Sequence, residues 1–276
     1  MQTIDYKTAF ICPKCGEELE IGERRMFCQN RHSYDKSRAG YYNLLLSGGG
    51  THGDNLDMVL ARRAFLSGGA YSRFAERISA LTLEYTSPGD RVLDAGCGEG
   101  YYTDLVERAL TLRDGESDVY AFDISKDAVQ RTAKKNPRIH TAVAGSYHMP
   151  IADGSISAVI NTFSPMAEDE VRRVLSEGGK FILAVPDENH LFELKSLIYD
   201  NPYKNTLRDS DLPGFRLVFD ERLTYSISLG SPEEVKTLFM MTPYAYRTRA
   251  EDKAKIDTVS SLSVTADFHI YVYERL

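Results

Sequence analysis

Apolar residues along this chain follow two rhythms. Between residues 54 and 85 they recur at helical spacing. Val59, Leu60, Ala64, Phe65 and Leu66 follow a capping run, Asp54-Asn55-Leu56-Asp57. Phe74, Ile78, Leu81 and Tyr85 then mark a second helix starting near Tyr71. Gly68-Gly69 ends the first helix, and Pro88-Gly89 follows the second. From residue 91 onward, short apolar runs alternate with amphipathic stretches. Strands are expected over 91–94, 119–123, 139–144, 156–162 and 180–185. Between and after them the pattern predicts helices over 102–112, from a Ser125 cap to Asn136, over 168–175 closed by Gly178-Gly179, and over 190–199. The tail predicts strands at 215–219 and 225–229, a helix opened by Ser231-Pro232-Glu233-Glu234, and a last strand over 264–273. This alternation predicts an α/β fold: a mostly parallel, Rossmann-like sheet with helices on both faces.

No apolar run approaches the roughly 20 residues of a membrane helix. The first seven residues lack the basic-then-apolar order of a leader, so the sequence reads as cytoplasmic. Gly48-Gly49-Gly50 reads as a hinge. A net charge of −7 excludes a uniformly basic nucleic-acid binder. The charge is uneven, however. Residues 24–38 carry five cations (Arg24, Arg25, Arg31, Lys36, Arg38) against one acid, and the rest of the chain is acidic. Any contact with a polyanion is expected in that segment.

The same segment holds the clearest chemistry. Cys12-Pro13-Lys14-Cys15 and Cys28-Gln29-Asn30-Arg31-His32 form a C-x2-C-x12-C-x3-H pattern. Two short chelating turns place three sulfurs and one imidazole at tetrahedral corners, which suits zinc, and four ligands leave no open position. The alternative is three unrelated buried thiols. Gly16 supplies the first tight turn. A unit of about forty residues buries too little to fold alone, so the metal would stabilise it. Cys97 lies far away between glycines and takes no redox role.

Gly96, Gly98 and Gly100 form a G-x-G-x-G loop after the 91–94 strand and before a helix. Such loops let backbone approach a ligand at the carboxyl ends of strands. The spacing differs from the dinucleotide motif, and Asp94 before it disfavours a pyrophosphate. A nucleoside joined to a zwitterionic amino acid fits better. Asp94 would orient amides around its ammonium group, and Asp123 would accept its ribose hydroxyls. The pair resembles the motifs of class I S-adenosylmethionine-dependent methyltransferases; a structural glycine turn is the alternative.

Nearly the whole chain resembles the RlmA family of 23S ribosomal RNA (guanine-N1)-methyltransferases. The matching stretches are the zinc motif, 40–45 (Gly-Tyr-Tyr-Asn-Leu-Leu), 61–66 (Ala-Arg-Arg-Ala-Phe-Leu), 94–103, 190–195 (His-Leu-Phe-Glu-Leu-Lys) and 241–244 (Met-Thr-Pro-Tyr). The resemblance implies a zinc module, residues 1–40, that recognises an RNA hairpin. It also implies a helical linker and cleft region, 41–88, and a methyltransferase domain, 89–276. A homodimer and S-adenosylmethionine come with it, as do cofactor contacts from Tyr71, Tyr102, Thr103 and His190. Tyr71 reads alternatively as a helix-start aromatic, and His190 as a helix N-terminal residue satisfied by backbone. Where many relatives of the fold carry an acid for the adenine amino group, this chain has Ala144-Gly145-Ser146, leaving the task to Ser146 or to backbone.

Guanine N1 carries a proton and lies on the Watson–Crick edge, so the base must be extruded, aligned and deprotonated. At 161–165 (Asn-Thr-Phe-Ser-Pro) Phe163 is a candidate stacking platform and Ser164 a candidate contact to the guanine edge; the alternative is a strand-end aromatic packed in the core. No residue stands out as proton acceptor. The five cations around the zinc motif, with Phe27 and Tyr34 between them, form the expected RNA footprint, and Arg62 and Arg63 would extend it. A solvated surface is the alternative there. Methylation of another RNA, a small molecule or a protein, or zinc-dependent RNA binding without turnover, remain competing functions.

Overall fold

The computed structural model describes residues 7–46, 53–207 and 209–276. The start of the chain, read above as leaderless, and the Gly48-Gly49-Gly50 hinge lie outside the described residues. Four short strands, β1 (Lys7–Ile11), β2 (Glu18–Ile21), β3 (Arg25–Phe27) and β4 (Ser33–Asp35), pair antiparallel in chain order. They carry the cysteine motif in their turns. A second sheet has eight strands. β5 (Tyr42–Asn43), β6 (Arg91–Ala95), β7 (Asp118–Asp123), β8 (His140–Val143), β9 (Ile156–Thr162) and β10 (Leu175–Pro186) are parallel; β11 (Phe215–Leu229) and β12 (Leu262–Arg275) run antiparallel at one edge. The spatial order is β11-β12-β10-β9-β6-β7-β8-β5.

Helices α1 (Leu56–Ser67), α2 (Ser72–Glu84), α3 (Tyr101–Arg113), α4 (Lys126–Lys135), α5 (Glu168–Val174), α6 (Phe192–Ile198), α7 (Pro232–Met241), α8 (Tyr244–Arg247) and α9 (Ala250–Lys253) connect the strands. Their starts follow the expected cap chemistry. Asn55 accepts from the Met58 N–H at 3.0 Å, Ser125 from Ala128, and Ser231 from Glu234 with Pro232 just inside.

Two expectations fail at the antiparallel edge and beside it. Residues 215–219 and 225–229 are one strand, because β12 offers a partner for every position between them. The polar residues there look like a turn in sequence, yet they pair across the ladder: Asp220 with His269, and Arg222 with Asp267 at 2.7 Å. Gly178-Gly179 does not close α5 either. Both glycines sit inside β10, where the register shifts between Leu175 and Lys180, and Gly178 takes a φ of +71°.

Alternate residues of the strands feed two large cores, and a small third cluster joins Val143 of β8 to Tyr41, Val129 and Ala133. On one face Val92, Val119, Ala121, Ile160, Ile182 and Phe268 pack beneath α1, α2, α3, α6 and α7. On the other, Leu93, Tyr120, Phe122, Val159, Phe181 and Tyr271 meet α5 and the zinc-motif sheet, through Ala9, Phe10, Leu19 and Met26. The small module therefore performs the job of a helical layer. Phe10 sets its ring edge-on to Tyr120 at 5.3 Å, the Ala9 N–H donates to the Tyr120 hydroxyl at 3.1 Å, and the Ile11 N–H donates to the Pro150 carbonyl at 2.9 Å. Burying a ring such as Phe10 is worth about 1.5–3 kcal/mol. The forty-residue segment thus gains from docking as well as from the metal its ligands would hold.

Candidate functional site

The four predicted ligands converge. Their donor atoms all lie within 4.8 Å of one another. Cys15 and Cys28 sulfurs are 3.7 Å apart, and the His32 Nδ1 is 3.4 Å from the Cys12 sulfur and 3.6 Å from that of Cys28. Zinc–sulfur bonds of ~2.3 Å at tetrahedral angles put sulfurs ~3.8 Å apart, so the donor set fits zinc. The local backbone explains the convergence. The Gly16 N–H returns to the Cys12 carbonyl at 2.8 Å with Gly16 at φ +76°. In the second turn Arg31 takes the left-handed position, φ +64°, and its N–H returns to the Cys28 carbonyl. Tyr34 lies differently from the sequence expectation. Its hydroxyl sits 3.1 Å from the Cys12 sulfur and its ring is half-buried, so it supports a ligand, while Phe27 stays exposed. Arg24, Arg25, Arg31, Lys36 and Arg38 are all exposed.

A cavity of about 580 Å³ opens at the carboxyl ends of the parallel strands. Of the predicted cofactor and substrate residues, Tyr71, Gly96, Gly98, Tyr102, Asp123, Phe163, Ser164 and His190 line it. Asp94, Gly100, Thr103 and Ser146 do not. Asp94 lies directly behind the glycine loop, where one carboxylate oxygen accepts from the Thr103 hydroxyl at 2.6 Å and the other is buried with no hydrogen-bond partner among the described residues. Burial pushes its carboxyl up to about 7, against the pull of the Thr103 hydrogen bond. Asp123 accepts from the Gly98 N–H at 3.0 Å and from the Ser125 N–H at 2.8 Å, one amide per oxygen. Each oxygen keeps lone-pair capacity for another donor.

The loop glycines serve two purposes. At Gly96, φ +94°, a Cβ would stand 2.4 Å from the Ser164 side chain. At Gly100, φ +75°, it would stand 2.6 Å from the Thr132 methyl. Gly100 therefore serves the packing of α3 on α4, and Gly96 the close approach of β9's end to the loop. The Ser164 hydroxyl donates to the Ala95 carbonyl at 2.6 Å. Ser146 begins a short 3-10 turn after β8 and is half-buried outside the cavity.

Phe163 occupies the left-handed region at φ +59°, a conformation that costs a non-glycine residue about 1–3 kcal/mol. The result is a ring packed on Phe74 at 5.2 Å and nearly parallel to His190, yet 40% exposed. Part of the ring is thus core and part faces the cavity. His190 is buried and neutral, its pKa lowered to about 4 by burial. The Asp267 N–H donates to its Nδ1 at 3.2 Å, which leaves the proton on Nε2, 3.2 Å from the Tyr71 hydroxyl.

Several lining residues were given no part in this cavity by the sequence. Asp54 and Arg62 form an ion pair at the rim, and Arg62 donates to the Met241 carbonyl at 3.4 Å. Arg62 thus faces the cavity and not the zinc module's surface; Arg63 is exposed beside Glu99. Gly53-Asp54 and the 241–244 corner also contribute. Their helical context was readable, but their convergence depends on how α1 packs on α7, which no local pattern states.

The arrangement suits S-adenosylmethionine: a bare glycine loop, a carboxylate for vicinal hydroxyls, and a buried acid with an unfilled oxygen. Comparison with known proteins agrees. A methyltransferase-domain family model matches residues 92–179, and the RlmA N-terminal zinc-ribbon model matches residues 10–46. A Streptomyces fradiae protein named 23S rRNA (guanine(748)-N(1))-methyltransferase is 34% identical over 225 residues, 79% of each chain. A Micromonospora griseorubida relative named for the same guanine-N1 reaction is 31% identical, covering 96% of this chain and 97% of its own. Bacillus subtilis YxjB is 28% identical over 98% of both chains.

Proposed function

The chain belongs to the 23S rRNA (guanine-N1)-methyltransferases with an RlmA-type zinc ribbon, and on that footing we propose that it transfers a methyl group from S-adenosylmethionine to N1 of one guanine in a 23S rRNA hairpin. The observation that carries the proposal is the union of two parts in one body. A Cys3His ribbon with an exposed basic surface docks on the same sheet whose strand ends hold the cofactor-type loop.

The cofactor, when bound, supplies a methyl group on a sulfonium, already reactive toward nitrogen. The protein's task is then alignment, the larger part of the rate. Asp123 holds the ribose, its orientation fixed by the Gly98 and Ser125 amides. Gly96 and Gly98 bring backbone against the amino-acid part, with Asp94 behind them and Thr103 fixing Asp94. Tyr71, Tyr102 and His190 close the cavity's apolar side. The exposed ring of Phe163 stacks on the extruded guanine, and the Ser164 backbone and hydroxyl oxygen flank it. Both ring nitrogens of His190 are engaged, so it does not take the N1 proton.

The cations Arg24, Arg25, Arg31, Lys36 and Arg38 contact RNA phosphates, and 41–88 links the module to the domain at 89–276 while adding β5, α1 and α2 to that domain's sheet and core. We assign the reaction to a homodimer in the cytoplasm, as the family implies; among the described residues no helix is long and apolar enough to cross a membrane. Incubation with tritiated S-adenosylmethionine and unmodified 23S rRNA, followed by nucleoside analysis, tests the proposal. Label in 1-methylguanosine supports it, and label in any other nucleoside, or none, rejects it.

A further inference from the structure

Helix α6 and the start of α8 meet at a buried cation, Lys195, which does not line the cofactor cavity. Lys195 of α6 is fully buried, yet among the described residues no carboxylate pairs with it. Its ammonium donates to the Tyr203 carbonyl at 3.2 Å and to the Asn205 side-chain oxygen at 2.5 Å. It lies 4.6 Å from the ring centre of Tyr203 and 5.7 Å from that of Tyr244. Asn205 completes the tie, since its side-chain amide donates to the Asp187 carbonyl at 2.8 Å and its N–H to the Glu188 carbonyl at 3.0 Å. Burying a cation costs free energy unless its hydrogens are used and its charge is offset. Here two carbonyl-type oxygens and two aromatic rings do both, and a loop is fastened to the end of β10.

That loop walls a second cavity, of about 350 Å³, lined by Val185, Pro186, Tyr203, Lys204, Asn205 and Thr206. Val185 and Pro186 also line the first cavity, so the two are adjacent and share a wall. Tyr203 is 57% exposed although its position is fixed, by Lys195 and by Tyr199 at 6.0 Å and 28° between planes. A rigid exposed ring loses little freedom when another flat group stacks on it. Lys204 beside it meets Glu188 at 3.9 Å, an exposed pair worth little that an anion can displace.

Extruding a guanine strips its neighbour of a stacking partner. A platform next to the reaction cavity restores it, and single-stranded bases commonly stack on such aromatic rings. Resting on the RNA substrate argued above, we propose that Tyr203 and Lys204 form a subsite for the nucleotide flanking the target guanine, its base on the tyrosine ring and its phosphate at the lysine. Lys195 is the positioning residue behind it.

The test uses the full chain with unmodified 23S rRNA, then hairpin transcripts carrying an abasic site on either side of the modified guanine. Tyr203→Ala should raise KM for RNA about fivefold or more, the lower end of a base–aromatic stack, and leave KM for S-adenosylmethionine unchanged. Tyr203→Phe should restore the wild-type value, because stacking needs only the ring. On the transcript lacking the stacked base, wild type and Tyr203→Ala should become equal. A wild-type KM for RNA in Tyr203→Ala, a parallel rise in the cofactor KM, or a difference that survives both abasic sites would overturn the subsite. Failure of the wild-type protein to form 1-methylguanosine would remove the RNA substrate itself, and the subsite with it; that shows in the control before any variant is made.

Discussion

The metal cluster and the reaction cavity are built in opposite ways. The cluster takes all its donors from 21 consecutive residues, 12–32, and two backbone turns set its geometry. The cavity gathers Asp54, Asp123, Phe163, His190 and Tyr244 from segments spread over nearly 200 residues. A cluster of the first kind is determined locally and is removed whole by losing one ligand. A cavity of the second kind is determined by packing, and its residues fail separately and by degrees.

The largest effect should follow from the cluster. Purified protein should hold about one zinc per chain, and Cys15→Ser should lose it. Zinc binding to comparable peptides is worth about 10–16 kcal/mol, so the module should unfold and RNA methylation should cease. The melting temperature of the whole protein should fall as well, because Phe10 and Met26 cover one face of the catalytic sheet. A melting temperature equal to wild type would show that the docking adds no stability.

Within the cavity, Gly96→Val should act next most strongly. Its Cβ would collide with Ser164 at a φ of +94°, so the loop must move and cofactor binding should vanish in calorimetry. Asp123→Ala is gentler. It deletes an acceptor without a clash, and should weaken S-adenosylmethionine by ~1.5–3 kcal/mol, roughly ten- to hundredfold, with zinc content unchanged. Equal losses in the two variants would mean that the glycine's steric role is misplaced.

A smaller effect concerns Asp94. Free aspartate titrates near ~4, and burial pushes this one up to about 7. Between those values the folded protein without cofactor holds a proton that the unfolded chain has released. Its stability should therefore decline as pH rises from about 4 to 7 and level off above that. Urea unfolding across that range should show the slope, and Asp94→Asn should flatten it.

The same contrast governs what the sequence revealed. Ligand spacing, cap residues and the parallel strands could be read because each depends on neighbours in the chain. The single strand β11 could not, since the polar residues 220–224 look like a turn until β12 supplies partners. Nor could the docking of the module through Phe10 and Tyr120, residues 110 positions apart, or the turn of Arg62 toward the cavity. The contact of Tyr34 was hidden for a related reason. Its place between the cations suited RNA, and only the fold brought its hydroxyl to the Cys12 sulfur.

The central claim is a division of labour: the ribbon attracts RNA, and the cavity holds the cofactor. Its most direct test measures both affinities in one variant, with Arg24, Arg25 and Lys36 changed to alanine. These side chains are exposed; Arg24 and Arg25 lie on the small sheet, and Lys36 sits at its junction with β5, 5.9 Å from the Tyr42 ring centre. RNA binding in a salt series should weaken, and its logarithmic slope should flatten by about 0.9 for each duplex phosphate that the variant no longer neutralises. S-adenosylmethionine affinity by calorimetry should equal wild type. An unchanged salt slope, or a loss of cofactor affinity alongside RNA, would contradict the account.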